Sequence, residues 1–228
     1  YTAIMTAGLS IAMAFAILLG SYVIDETSYD KGVDTGSLYV ALLNYTELKT
    51  YERKEILANT VGVDMTCSFR QINSDNGMIQ ESFKAVVGGK PHRVNGIVTE
   101  PQFLSIFPIR FIEGNRETAL KEIDNVIISE SLAKRAFHDG DALGQELRFD
   151  YRGYNDRILT VSGVFKDIKG STLKSPDVIF QRKDELDDGA VEVNAAYFLK
   201  MRRDADIENI SKSLKEQFND DTRFQSDL

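Results

Sequence analysis

Tyr1 to Ile24 contains no Asp, Glu, Lys or Arg, so all 27 Lys and Arg and all 35 Asp and Glu of the 228-residue chain lie after it. Within that stretch Thr2 to Ile24 reads TAIMTAGLSIAMAFAILLGSYVI, and about 20 apolar residues suffice to cross a hydrocarbon core of roughly 30 Å. A transmembrane helix is predicted. A secretory leader would place a basic start before a shorter apolar run of roughly 7–15 residues and a small-residue cleavage site, and the start here is not basic. Because the chain opens on Tyr, a preceding segment with the cytoplasmic basic flank is expected ahead of it. Asp25, Glu26 and Asp30 follow the span with only Lys31 positive, which favours an outside location for what comes next. Gly8, Ala12, Ala16 and Gly20 recur every four residues and so form one stripe where another helix could pack closely. The alternative is that small residues are simply common in membrane helices.

The remainder is acidic, with a formal net charge of −8 and only two His. That balance argues against a nucleic-acid partner, whose footprint is a Lys and Arg surplus on one face. The lone Cys67 cannot form an internal disulfide. With 43% hydrophobic residues, the chain is neither disordered nor fibrous.

Periodicity predicts a strand in GSLYVALLNY and then a helix in TELKTYERKEILANT, with Leu48, Tyr51 and Ile56 at near-helical spacing. In VGVDMTCSF, Val61, Val63, Met65, Cys67 and Phe69 alternate with Gly62, Asp64, Thr66 and Ser68, which predicts a strand with one apolar and one wet face. Asn76-Gly77 then signals a hairpin. Near the C-terminus VEVNAAYFLKM reads as a strand, and Ile207, Ile210, Leu214 and Phe218 share one face of a helix capped by Asp204 or Asp206. A β-α-β opening and a β-α closing are the order of a split β-α-β unit with a second subdomain inserted in its middle. The insert has its own short helix at Pro101 to Phe107, a strand at Asn125 to Ile128 and a helix from Ser129, its N-cap, to Phe137. The runs Glu146 to Asp150 and Arg157 to Phe165 suit a hairpin across YRGYND. The fold class expected is therefore α+β. A transmembrane helix and the start of a stalk (1–30) lead into a two-lobed extracytoplasmic domain, with a porter-like subdomain (31–95 and 186–228) and an inserted mixed α/β lobe (96–185).

No catalytic set emerges. Ser-x-x-Lys occurs at Ser131 to Lys134 and at Ser171 to Lys174, and Ser74-Asp75-Asn76 copies a second box of penicillin-recognising enzymes, in which Ser is the acylated nucleophile. The third box, Lys-Thr-Gly, is absent, and the Ser-Asp-Asn precedes both Ser-x-x-Lys runs. His92 and His138 lack the neighbouring ligands a metal site needs. Gly88-Gly89-Lys90 lacks the flanking Gly and Ser or Thr of a phosphate loop. The clusters Asp187-Asp188-Gly189 and Asn219-Asp220-Asp221 lack the alternating ligands of a calcium loop. Neither a cofactor nor a metal is expected. Phe103, Phe107 and Phe111 recur every four residues, either as an exposed contact stripe or as core.

The run GLSIAMAFAILLGSYVIDETSYDK resembles the first membrane helix of MacB-type permeases of ABC transporters, a family that includes FtsX-like proteins. The resemblance continues through VTEPQFLSIFPIRFIEGN, NVIISESLAKRAFHDGDALGQELRF and LTVSGVFKDI, in the family's order. Two departures stand out: Asp141-Ala142-Leu143-Gly144 replaces the usual Asp-Pro-hydrophobic-Gly, and Gly32-Val33 replaces an aromatic-His pair. The resemblance implies the periplasmic core domain of a non-catalytic, inner-membrane permease subunit, a piece of a longer polypeptide with further membrane helices. It implies an ABC-type ATP-binding subunit, a second permease copy, and a periplasmic or outer-membrane partner. ATP hydrolysis in the cytoplasm would be relayed to the periplasm for export or extraction of a substrate, with Tyr22 and Tyr29 marking the membrane interface and the start of the stalk. A different class of reading is a single-span receptor with an extracytoplasmic ligand-sensing domain, which would need a cytoplasmic signalling domain ahead of the span.

Overall fold

The structure, a computed structural model, describes residues 13–15, 17, 19, 35–43, 50–72, 83–137, 141–150, 157–168, 175–181, 195–218 and 223–225. Residues 13–15, 17 and 19 are helical, and among the described residues no helix is long and apolar enough to cross a membrane. Gly8, Ala12, Ala16, Gly20, Tyr22 and Tyr29 lie outside the described residues. So do the Ser74 to Gly77 turn, His138, Ser171, Lys174 and both acidic clusters.

The strands are β1 (Leu38–Leu43), β2 (Val63–Ile72), β3 (Lys84–Val87), β4 (Lys90–Arg93), β5 (Gly96–Thr99), β6 (Phe111–Gly114), β7 (Asn125–Ser129), β8 (Glu146–Asp150), β9 (Ile158–Phe165), β10 (Val178–Gln181), β11 (Ala195–Met201) and β12 (Arg223–Gln225). The helices are α1 (Thr50–Asn59), α2 (Phe103–Ile106), α3 (Glu130–Ala136) and α4 (Ile207–Phe218). Among the described residues the strands form one mixed sheet in the order β12-β1-β11-β2-β5-β10-β7-β9-β8-β3-β4, with β6 paired to β9. Strand β11 lies antiparallel between β1 and β2, so β1 and β2 run parallel with another strand between them. That is the split β-α-β arrangement. The only parallel ladders among the described residues are β5 with β10 and β7 with β9.

The middle strands are buried on both faces, which is why they read as unbroken apolar runs rather than alternations. Ile97, Ile127 and Ile179 point to one side, into a core with Leu38, Cys67, Phe103, Phe107, Phe165 and Phe198. Val98, Val126, Ile128 and Phe180 point to the other, into a core with Phe83, Leu132, Phe149 and Leu159. A third cluster packs Leu57 of α1 and Ile210, Leu214 and Phe218 of α4 on Ala41, Leu43, Tyr197 and Leu199. Glycine is required where the sheet bends at β6. Gly114 has φ +84°, and a Cβ there would stand 2.5 Å from the Ser162 carbonyl oxygen.

Several details depart from the periodic reading. Strand β2 begins at Val63, while Val61 sits in the turn after α1 and is 81% exposed. Gly62 provides that turn with φ +100°. In α1, Tyr51 is exposed and the buried positions are Arg53 and Leu57, because the helix lies on β2 along a different stripe. Thr66 and Ser68, expected to be wet, are buried, since α1 packs over β2. Asp206 rather than Asp204 caps α4, its carboxylate accepting from the Asn209 N–H at 3.1 Å. Ser129 caps α3 as expected, accepting from the Leu132 N–H at 3.1 Å. Phe103 and Phe107 are core, and Phe111 is packed against the same cluster.

Candidate functional site

Two places bring polar side chains from separate elements together. The first is the junction of α1, β2 and the end of β5. Glu100 directly follows β5, and its carboxylate accepts a hydrogen bond from the Ser68 hydroxyl at 2.5 Å. On the other side the Lys54 ammonium of α1 stands 2.9 Å from Glu100 Oε2. Beneath them Thr99 donates to the Ser68 carbonyl at 2.8 Å, and the Cys67 sulfur lies 3.2 Å from Thr99 Oγ1. Burial pushes the Cys67 thiol up to about 12, so at neutral pH it is neither a thiolate nucleophile nor a soft metal ligand. The junction therefore fastens a helix to two strands by a partly buried, charge-assisted contact, and it offers no reactive group.

The second is a cleft of about 440 Å³ between the end of α1 and the outer side of α4. Asn59, Thr60, Val61, Lys212, Ser213 and Gln217 are among its walls, and Gln217 donates to the Ser213 hydroxyl at 3.0 Å. Its walls combine carboxamides and hydroxyls with the Lys212 ammonium, the Glu216 carboxylate and an exposed valine. Neither place was visible in the sequence, because the Ser68 to Glu100 contact joins residues 32 apart and no local pattern marks it.

The candidates for chemistry that lie among the described residues take structural roles. The Ser131 hydroxyl donates to Asp167, whose carboxylate also accepts the Ser131 N–H at 3.0 Å. Lys134 is hydrogen-bonded to Glu130. That bond, with the Glu130 charge, raises the Lys134 pKa and holds it as an ammonium, so it is not a base for Ser131. Gly88 and Gly89 form the β3–β4 turn with φ of +54° and +78°, which explains the glycines without a phosphate. His92 is part of β4, opposite Ala85. Among the described residues no group of three His, Cys, Asp or Glu is placed to hold a metal. In the Asp141 to Gly144 turn, Ala142 is fully buried and Gly144 takes φ +79°.

No curated protein sequence matches the chain. Solved structures share its fold. A domain of a putative permease protein from Porphyromonas gingivalis superposes with a TM-score of 0.62 at 19% identity, covering 83% of this chain and 89% of the other. The periplasmic region of MacB from Actinobacillus actinomycetemcomitans gives 0.60 at 16% identity, covering 86% and 92%. The extracellular domain of the noncanonic ABC-type transporter YknZ from Gram-positive bacteria gives 0.56 at 14%, covering 82% and 98%. The model of the MacB-like periplasmic core domain matches residues 2–217, nearly the whole length including the uncharged span, and the chain belongs to that family.

Proposed function

We propose that this chain is the extracytoplasmic core domain, with its leading membrane helix, of an ABC-type permease subunit. In this reading it performs no chemistry of its own. It relays ATP hydrolysis by a cytoplasmic ATP-binding subunit into movement of the periplasmic domain, as one of two permease copies in a bacterial inner membrane. The porter-like part (31–95 and 186–228) and the insert (96–185) are the moving body, and Tyr22 and Tyr29 stand at the membrane exit and the start of the stalk.

The observation that carries this reading is the character of the chain's first helix. Met13, Phe15, Ile17 and Leu19 are helical and 57%, 65%, 68% and 58% exposed, within an uncharged segment that the family match includes. Large apolar side chains exposed on two opposite sides of a helix are stable in hydrocarbon and costly in water. The Gly8, Ala12, Ala16 and Gly20 stripe supplies a face for protein contact within the membrane.

The test is to express the full-length parent protein, extract it gently from native membranes and identify what accompanies it by mass spectrometry. An ATP-binding subunit in near-equal amount, or an ATPase domain in the same polypeptide, is expected. Replacing Ala12 and Ala16 together by Leu should reduce that co-purification several-fold while leaving membrane insertion intact. A protein accompanied instead by a kinase module would replace the permease reading with the single-span receptor.

A further inference from the structure

The cleft between the end of α1 and α4 has walls that the fold holds in place. The chain leaves α1 through a turn in which the Thr60 N–H donates to the Leu57 carbonyl at 3.3 Å and the Val63 N–H to the Thr60 carbonyl at 3.1 Å. The Arg202 N–H, just after β11, donates to the Gly62 carbonyl at 2.8 Å, which ties that turn to the segment leading into α4. A Cβ on Gly62 would stand 2.7 Å from Ile210 Cδ1, so turn and helix are in close contact there. Val61 is therefore held out, 81% exposed, by a fixed turn at the wall of a cleft of about 440 Å³, a size within the range of small-ligand sites.

The hydroxyls on the two sides have opposite polarity. Thr60, at the α1 side, donates its proton to the Ile56 carbonyl at 2.9 Å, which leaves its oxygen as an acceptor. Ser213 of α4 accepts from the Gln217 amide at 3.0 Å, which leaves its own proton to give and the Gln217 carbonyl oxygen to accept. A peptide unit, with one N–H and one C=O, matches an acceptor and a donor on the two sides. The charges are balanced as well. Lys212 and Glu216 are the only charged residues among the described walls, and among the described residues neither makes an ion pair. Four residues apart, they are separated by about 6 Å along the α4 axis, which is about the advance of two residues of extended chain. One cation and one anion disfavour a polyanion or a polyamine, and no aromatic ring among the described walls offers a platform to a sugar face.

We propose that this cleft binds a free di- or tripeptide in extended form. Lys212 meets its C-terminal carboxylate, Glu216 its N-terminal ammonium, Thr60 and Ser213 its peptide groups, and Val61 an aliphatic side chain. The site goes beyond the permease reading and does not depend on it, because every one of these residues lies outside the leading membrane helix.

The experiment is titration calorimetry of the full-length protein in phosphatidylcholine nanodiscs with alanyl-valyl-alanine, and with the same tripeptide N-acetylated and C-amidated. The free tripeptide should bind at one site per chain, and the capped form at least tenfold more weakly. K212Q/E216Q should weaken binding at least tenfold and S213A severalfold, each with the thermal transition of the unaltered protein. K215Q/E55Q removes one cation and one anion from exposed positions outside the cleft and should leave binding within twofold. No binding of the free tripeptide overturns the proposal, as does equal binding of the capped form. Equal loss in the two double variants, or no loss in K212Q/E216Q, also overturns it. The outcomes separate from those for the permease: co-purification of an ATPase bears on the relay alone, and the titration bears on the cleft alone.

Discussion

Burial, not a partner, sets the chemistry of Cys67. Its thiol is raised from 9.0 to about 12, chiefly by desolvation. Between those values the unfolded chain has lost the proton and the native chain still holds it. The contribution to stability is therefore complete below about pH 9 and declines as pH rises toward 12. The decline from this one group is at most about 1.4 kcal/mol per pH unit. Urea unfolding of the protein and of C67A across pH 8 to 11 checks this: the difference in slope should appear only above pH 9, and parallel profiles would refute it. The same burial predicts that a thiol reagent labels Cys67 only under conditions that open the sheet. The inward position of Cys67 was legible in the alternation of Met65, Cys67 and Phe69. The burial of Thr66 and Ser68 was not, because it depends on a helix laid over the strand rather than on the strand's own pattern.

The elements differ in how openly they announce themselves. In α4, Ile210, Leu214 and Phe218 fall on one stripe and all are buried, so periodicity and packing agree. Replacing Leu214, which is fully buried, by Ala should cost about 2–5 kcal/mol. Replacing the capping Asp206 by Ala should cost about 0.5–2 kcal/mol. Chemical denaturation of the two variants checks the order, and a costlier D206A would mean that the helix is held by its end rather than its face. Helix α1 gave a misleading signal for the opposite reason. Its apolar residues are few and its buried stripe includes Arg53, so of the spaced residues Tyr51 is exposed while Ile56 packs at the edge of the cluster with α4, and Leu48 lies outside the described residues. The Ser129 cap, the Asp206 alternative for the α4 cap and the antiparallel pairing of β8 with β9 follow from local chemistry and were readable. The Glu100 junction and the α1–α4 cleft follow from pairings between distant segments and were not.

At the scale of the molecule, the three clusters are joined through shared strands. Ile97 of β5 packs in one cluster with Leu38 and Phe198 on one side and Ile127 and Phe165 on the other. Its neighbour Val98 belongs to the core on the opposite face. Removing part of Ile97 should therefore loosen both ends together. In I97A, hydrogen exchange of the backbone amides of β11 and β7 should accelerate by similar factors, and acceleration confined to one of them would show two independently stable units. One further consequence lies in the register of the edge, where Val40 of β1 is paired with Gln225 of β12. The described chain enters and leaves this globule side by side, so the whole body can be inserted into a host polypeptide at one point without prising the host's own neighbouring segments apart. A fold with adjacent doorways is portable, and the same geometry would let its surface loops diversify while the attachment to any membrane scaffold stays unchanged.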